Sequence, residues 1–258
     1  MNDALDAERR EVAEELPFGA AELLSAVAGA GRVLDLGCGS GRLTVALARA
    51  GAAVTGFDTS RESLEQAGRR AVAAGVELQL VEADMNEPLP FEDGSFDAAT
   101  SRVALMIAAD PVATLRELRR VVRPDGRIAT VLWASPDQNP WFSEPRAAIA
   151  AVLGGERASF APAFGRLGDP AEAADVHRAA GLRDVEATLL REHASAAGAA
   201  EHWEWLAQDI GHFRRVAGSL TETERSAVVA DVAARLEPYR RAGSLQVPRT
   251  LVLVTARS

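Results

Sequence analysis

Short apolar runs alternate with alanine-rich helical stretches along the first half of the chain. This alternation is typical of a parallel sheet covered by helices on both faces, because each strand is followed by a helix that returns across the sheet. The pattern predicts five strands, at residues 32–36, 53–57, 78–82, 96–100 and 128–133. It also predicts helices at 43–50, 60–74 and 111–122. Thr59 or Ser60 caps the second of these helices and Gly75 ends it.

The pattern changes after Trp133. The turn Pro124-Asp125-Gly126 leads into the fifth strand, and residues 135–140 form a loop. Helices are predicted near 144–153 and at 171–180, a sixth strand at 185–191, and a seventh at 251–255 after a long helical excursion. We interpret residues 1–258 as one domain, in which 1–30 form an N-terminal helical cap, and 134–180 and 194–248 are helical insertions that form a lid over the substrate.

Composition excludes several kinds of chemistry. The 258 residues include no lysine, so neither a P-loop nor a Schiff-base mechanism is available. Cys38 is the single cysteine, which rules out an internal disulfide and leaves no companions for a zinc cluster, so no metal is expected. The formal net charge of −9 and the scattered arginines disfavour a nucleic-acid partner. No apolar stretch is long enough to span a membrane and acidic residues crowd the N-terminus, so we expect a soluble, cytoplasmic protein.

A glycine-rich segment, Asp35-Leu36-Gly37-Cys38-Gly39-Ser40-Gly41, follows the first strand and opens the first helix. Doubly wound sheets bind ligands at this turn, where glycine lets the backbone turn sharply and approach the ligand closely. The dinucleotide spacing G-x-G-x-x-G fails, since Arg42 or Thr44 stands at its third glycine. The Asp35 carboxylate would repel a pyrophosphate but can accept hydrogen bonds from an ammonium group. These residues favour S-adenosylmethionine (SAM), which has an ammonium, a sulfonium and no phosphate, over NAD.

Acidic residues also follow the second and third strands. Asp58, with Thr59 beside it, is placed to bind both hydroxyls of a ribose. Asp84 can accept a hydrogen bond from an adenine amino group while Met85 packs on the ring. A cap or a core position would explain each residue alone, but their order at successive strand ends favours a cofactor site.

Two further segments strengthen this interpretation: Leu89-Pro90-Phe91-Glu92-Asp93-Gly94-Ser95-Phe96-Asp97 leads into the fourth strand, and Leu118-Arg119-Arg120-Val121-Val122-Arg123-Pro124-Asp125-Gly126-Arg127 leads into the fifth. With the glycine-rich segment, they make residues 31–133 resemble a class I SAM-dependent methyltransferase of the ubiquinone/menaquinone-biosynthesis branch. This resemblance implies an α/β fold, a doubly wound, Rossmann-like and mostly parallel seven-stranded sheet with an antiparallel last strand.

The resemblance also implies the positions of cofactor contacts. Asp35, Gly37 and Gly39 would lie near the methionine part of SAM, within the loop that includes Cys38 and Gly41. Asp58 would bind the ribose, and Asp84 with Met85 the adenine. Ser101 and Arg102, just after the fourth strand, would lie beside the methionyl group. Residues 103–107 lack the histidines that some relatives carry there, so no catalytic base is carried over.

Substrate contacts should follow the fourth, fifth and sixth strands, because ligands bind beyond the carboxyl ends of parallel strands. Met106, Trp133, Trp141 and Trp203 are the predicted pocket residues, and they suggest an apolar or aromatic small molecule. His193 is the candidate general base where the acceptor must lose a proton, because it is predicted at the carboxyl end of the sixth strand.

Other interpretations remain open at this stage. The second insertion can equally be a helix pair that packs on the sheet, or the surface of a homodimer. A SAM-fold protein with a scaffold role or another reaction is one functional alternative, and an NAD-dependent oxidoreductase is a weaker one. Methylation of nucleic acid is disfavoured because residues 101–104 lack the Asn/Asp-Pro-Pro-aromatic motif of such enzymes.

Overall fold

The computed structural model describes residues 16–154 and 164–258. Half of the predicted N-terminal cap, residues 1–15, therefore lies outside the described residues, as does part of the first insertion. Eight strands form one sheet: β1 Arg32–Leu36, β2 Ala53–Asp58, β3 Gln79–Glu82, β4 Phe96–Arg102, β5 Val122–Trp133, β6 Arg183–Ala196, β7 Arg240–Arg241 and β8 Ser244–Arg257. The described helices are α1 Ala20–Ala26, α2 Arg42–Arg49, α3 Arg61–Ala74, α4 Pro111–Val121, α5 Pro140–Leu153, α6 Pro170–Ala179, α7 Ala199–Asp209, α8 Gly211–Ser219 and α9 Glu222–Leu236.

The sheet has the order β3-β2-β1-β4-β5-β8-β6, and β7 pairs with β8. The pairs β1–β2, β1–β4, β2–β3 and β4–β5 are parallel, whereas the last strands of this mixed sheet are antiparallel. Strands β2 and β3 are added on one side of β1, and β4 and β5 on the other, so the strand order reverses between β1 and β4. Doubly wound folds bind ligands at this point. The predicted fold is therefore confirmed, with the short β7 as an addition to the seven expected strands.

The chain divides into two compact units. The first comprises the described residues 16–132, 167–189 and 252–258, and the second comprises 133–154, 164–166 and 190–251. Helix α6, predicted as part of the first insertion, belongs to the first unit and packs against α4. Whether the two units act as one domain with a lid stays a prediction.

The first unit has its core where β1 and its neighbours meet α2, α3 and α4. Leu34, Leu36, Leu115 and Leu118 are fully buried there. Helices α3 and α4, which cover this core, begin at polar caps, whereas α2 begins at Gly41. Ser60 accepts a hydrogen bond from the Ser63 backbone at the start of α3, which selects Ser60 over Thr59 as its cap.

The second unit has an aromatic core of its own. Trp141, Trp203 and Phe213 are buried together, and α9 packs against α5. Aromatic side chains give such a small unit much apolar area, which stabilises it without disulfides. Among the described helices of both units, none combines the length and the hydropathy that a membrane span requires.

Several predicted boundaries are wrong. Strand β5 begins at Val122 rather than residue 128, because Val122 already pairs with Phe96 before a register shift around Pro124-Asp125-Gly126. Helix α5 begins at Pro140 rather than near residue 144, since proline is well tolerated in a first helical turn. Strands β6 and β8 each have 14 residues and extend well beyond the predicted segments. A short 3-10 helix at Leu105–Ile107 was not predicted.

Candidate functional site

The glycine-rich loop between β1 and α2 has three glycines in the left-handed backbone region. Gly37, Gly39 and Gly41 have φ of 71°, 52° and 81°. A Cβ on Gly37 would lie 2.1 Å from the Cβ of Ala104, whereas a Cβ on Gly39 would have no atom within 4 Å. Gly37 is therefore required by packing, while Gly39 leaves open space over the loop.

Asp35 lies at the base of this loop with only 1% of its surface exposed. Its two carboxylate oxygens accept hydrogen bonds from Thr44 Oγ1 at 2.7 Å and from Thr100 Oγ1 at 3.0 Å. Burial raises the pKa of Asp35 to about 6, and the positive charge of Arg102 opposes that rise. The site therefore holds a desolvated carboxylate that a cationic group would stabilise.

Asp58, at the end of β2, connects the glycine loop to the start of α3. Its Oδ2 accepts from the Gly39 backbone N–H at 2.9 Å, and its Oδ1 accepts from the Ser60 N–H at 2.9 Å. Each carboxylate oxygen has two lone pairs, so one on each oxygen remains for a ligand hydroxyl. Thr59 beside it is exposed.

Asp84 and Met85 follow β3 as predicted. Asp84 is exposed, and its Oδ1 accepts from the backbone and the side-chain amide of Asn86, at 2.9 and 2.8 Å. Met85 is 8% exposed, and its Cε lies 3.8 Å from where a Gly37 Cβ would stand. The structure thus brings the β3 end against the glycine loop.

Sequence reasoning missed Asn86, which fastens this corner of the site. Its Oδ1 accepts from the Ala109 N–H at 2.7 Å, so it joins the segment after β3 to the segment after β4. The Asp-x-Asn spacing is common in tight turns and could have signalled this contact.

Ser101 and Arg102 form the last two residues of β4, rather than following it. Ser101 is fully buried, and its Oγ has no hydrogen-bond partner among the described residues. Arg102 is partly buried and close enough to Asp35 to lower its pKa. Cys38 is half-buried, and the loss of solvent raises the pKa of its thiol, which keeps that thiol protonated.

The predicted acceptor residues belong to different units. Met106 is in the first unit and 4% exposed, but its neighbour Ile107 is 61% exposed. In the second unit Trp133 and Trp141 lie together, with ring centroids 4.8 Å apart. Trp141 and Trp203 are fully buried, whereas Trp133 keeps some exposed surface. Burial of Trp141 and Trp203 is consistent with packing, and their place in an acceptor pocket stays a prediction.

The predicted position of His193 at a strand end is wrong. Strand β6 continues to Ala196, and the alternation of exposed and buried residues places His193 on its exposed face. Its role as a base stays a prediction. His177, by contrast, is buried, with Nδ1 2.7 Å from the Ala173 carbonyl and Nε2 3.0 Å from Thr130 Oγ1.

Comparison with known proteins identifies the domain that carries this site. Residues 34–130 match the methyltransferase domain family. The match covers 97 of the 258 residues, so this segment is similar to that family. This match confirms the resemblance seen in the sequence and supports SAM as the cofactor.

Similar proteins agree with this domain. An uncharacterised protein of Mycobacterium tuberculosis strain H37Rv is 42% identical over 125 residues, which is 47% of this chain and 45% of that protein. The demethylmenaquinone methyltransferase of Clavibacter sepedonicus is 42% identical over 105 residues, 41% of this chain and 42% of the relative. The similarity thus spans less than half the length of these curated relatives.

The fold extends further than the sequence similarity. The crystal structure of the YcgJ protein of Bacillus subtilis superposes with a TM-score of 0.62 at 19% identity, and covers 93% of this chain and 97% of that one. At this identity the likeness shows the fold alone.

Proposed function

We propose that this protein is a SAM-dependent methyltransferase that transfers a methyl group to a small, apolar or aromatic acceptor. The observation that carries the proposal is the row of acidic and glycine positions at the carboxyl ends of β1, β2 and β3, where Asp35, Gly39, Asp58 and Asp84 occur in the matched domain. The negative charge of the three aspartates suits a cationic cofactor and would repel the pyrophosphate of a dinucleotide.

The site fits SAM on three structural observations. The space over Gly39 is open, so a ligand can lie against the backbone there. The Ser101 Oγ is buried with no partner among the described residues, which leaves a hydroxyl available for a polar ligand group. The buried carboxylate of Asp35 has the charge that complements an ammonium group.

The residues of this chain then have separate tasks. Asp35 would hold the ammonium group, Asp58 the ribose hydroxyls, and Asp84 with Met85 the adenine. When bound, SAM supplies a methyl group on a sulfonium that is already activated for displacement. The protein therefore has chiefly to align the acceptor and exclude water, and it needs a base only for an acceptor that must lose a proton.

The acceptor class is supported by an exposed apolar residue and by the relatives. Ile107 lies just beyond β4 with 61% of its surface exposed, where the fold's ligands are expected. The Clavibacter relative is named for demethylmenaquinone, so a reduced quinone is the first acceptor to test.

Calorimetry with S-adenosylhomocysteine tests the cofactor assignment. We expect micromolar binding to the full chain and at least a tenfold loss in Asp58→Ala. This change removes the carboxylate that accepts a hydrogen bond from the Gly39 N–H and that would bind the ribose hydroxyls. Asp175→Ala is the matched control, since Asp175 is an exposed carboxylate on α6 that pairs with Arg178. Equal affinity in the two variants, or binding of NADH instead, would contradict the proposal.

Methyl transfer is tested with SAM labelled in the methyl group and a panel of reduced quinones, phenols and carboxylic acids. Transfer to an apolar or aromatic member, weakened by Ile107→Asp, supports the acceptor assignment. Cofactor binding without transfer to any member would favour the non-methylating alternative.

A further inference from the structure

A polar pocket lies at the edge of the sheet opposite the glycine-rich loop. It has a volume of about 410 Å³ and is lined by Gly31, by three arginines and by two aspartates: Arg123, Arg127, Arg257, Asp97 and Asp125. Gly31 precedes the first residue of β1 and Asp97 is the second residue of β4, so the pocket is at the amino edge of these parallel strands. The five residues of β1 separate it from the glycine loop by roughly 17 Å, at about 3.3 Å per residue.

Backbone carbonyls orient two of the three arginines of the pocket. Arg127 Nη2 donates to the Ala28 carbonyl at 2.5 Å, and Arg257 Nη1 donates to the Asp125 carbonyl at 3.1 Å. A carbonyl fixes the position of a guanidinium but does not neutralise its charge. Arg127 has no carboxylate within 4.0 Å in the part of the chain that the structure describes.

Nearby ion pairs leave the pocket positive. The carboxylate of Asp97 is shared by Arg32 and Arg123, so one negative charge serves two cations. Three arginines and two aspartates line the pocket, and Arg257 also lies 3.4 Å from Asp184. The positive charge that no carboxylate pairs among the described residues is therefore that of Arg127. The excess of positive side chains stands out in a chain whose formal net charge is −9.

We propose that this pocket binds a phosphate-bearing small molecule, separately from the cofactor site. The planar guanidinium group matches the geometry and charge of a phosphate, and several of them converge here. The volume lies within the range of small-molecule sites, about 300–1,000 Å³, and the polar walls favour recognition by charge rather than by apolar contact. The alternative is that these arginines only fasten the loops at the amino edge, in which case the pocket has no affinity for phosphate.

Calorimetry of the full chain with inorganic phosphate, at ionic strength held constant with sodium chloride, tests the proposal. We expect saturable binding that Arg127→Gln weakens at least tenfold. Arg178→Gln is the matched control, because this substitution removes the same charge at an exposed residue of α6 that lies outside the pocket. Circular dichroism checks folding of each variant, and Arg257→Gln replaces Arg127→Gln if the latter does not fold.

A second titration uses ribose 5-phosphate under the same conditions. Tighter binding of this ester than of inorganic phosphate supports a phosphorylated metabolite as the occupant, and equal affinity supports the phosphate ion itself. Absence of saturable binding, or equal binding by the Arg127 and Arg178 variants, overturns the proposal. The affinity for S-adenosylhomocysteine is measured in parallel, so a failure of the cofactor assignment is seen separately.

Discussion

Replacement of Asp35 by asparagine should stabilise the protein at pH 8 and weaken its binding of the cofactor. The carboxylate is 1% exposed, and desolvation raises its pKa from 3.8 to about 6 in spite of two threonine hydroxyls that donate to it. Because the folded pKa is above the unfolded one, this group favours folding below pH 3.8, and that contribution is lost as the pH rises through 6. At pH 8 the charged form is therefore a destabilising element of the free protein.

The size of the effect follows from the shift. Two pKa units correspond to about 3 kcal/mol of differential interaction. Asparagine is nearly isosteric and neutral, but it must donate where the carboxylate accepts, so one of the two threonine hydroxyls has to reorient. The net gain expected for Asp35→Asn at pH 8 is on the order of 1–3 kcal/mol.

Urea unfolding followed by far-ultraviolet circular dichroism at pH 4.5 and pH 8 measures this gain. We expect the advantage of Asp35→Asn at pH 8 to shrink at pH 4.5, where Asp35 in the wild type takes up a proton. Asp84→Asn is the control, since the same neutralisation at an exposed carboxylate should change stability little. An Asp35→Asn variant that is less stable at pH 8, or equally affected at both values, would refute the assignment of a desolvated carboxylate.

Cofactor binding provides the second readout. An ammonium group beside Asp35 would favour the charged carboxylate, so binding of S-adenosylhomocysteine should release a proton below pH 6 and strengthen as the pH rises from 5 to 7. Asp35→Asn should lose both the affinity and this pH dependence. Higher stability with lower affinity is the trade-off expected where a binding site retains an unfavourable charge for function.

The remaining predictions concern packing, the loop and a buried histidine. Gly37→Ala should unfold or distort the loop, because its Cβ would lie 2.1 Å from that of Ala104. A Cβ on Gly39 meets no atom within 4 Å, so Gly39→Ala should cost only the strain of a left-handed backbone at φ 52°, about 1–2 kcal/mol, and should fold with lost cofactor affinity in calorimetry. Trp203→Ala should cost about 3–5 kcal/mol of unfolding free energy, with Trp203→Phe much milder; a raised acceptor KM without loss of stability would contradict its packing role. Burial lowers the pKa of His177 from 6.5 to about 4, so its neutral form supports folding above pH 6.5, and about 3 kcal/mol is lost as the pH falls through 4. His177→Gln should flatten that decline in acid unfolding.

The first five strands and the cofactor loop were predictable because their signals are local. Each short apolar run followed by a helix specifies one crossover, and the glycines at 37, 39 and 41 are needed for the left-handed backbone found there. Asp58 and Asp84 could be placed because the end of a strand is readable from the end of an apolar run. The strand-end positions proposed for the cofactor therefore needed no tertiary information.

The errors arise where pairing between distant residues decides the structure. Strand β6 extends through Ala194 and Ala196, which alternate with exposed residues, but alanine has a poor strand propensity and the segment did not indicate a strand. Hydrogen bonding to a neighbouring strand supplies what propensity lacks. His193 consequently falls inside a strand, although the sequence predicted it at the end.

The tryptophans show a different limit. An aromatic residue on an apolar helix face serves equally as a core residue or as the wall of an acceptor site, since both roles require the same surface. Only burial separates them: Trp203 has no exposed surface, and Trp133 keeps some. The acceptor proposal accordingly depends on Ile107, just beyond β4, and not on the fully buried rings.

Asp35 and His177 oppose each other in the acid response of the protein. As the pH falls from about 6 to 4, Asp35 takes up a proton more readily in the folded protein, which adds stability. Over the same range His177 takes up a proton more readily in the unfolded chain, which removes stability. Because the two shifts are similar in size, the wild type should change little in this range on account of these groups. A flat wild-type profile together with opposite slopes in Asp35→Asn and His177→Gln would show that the charge retained at the cofactor loop is offset by a neutral histidine buried elsewhere in the same unit. Flat profiles in both variants as well would contradict the two shifts.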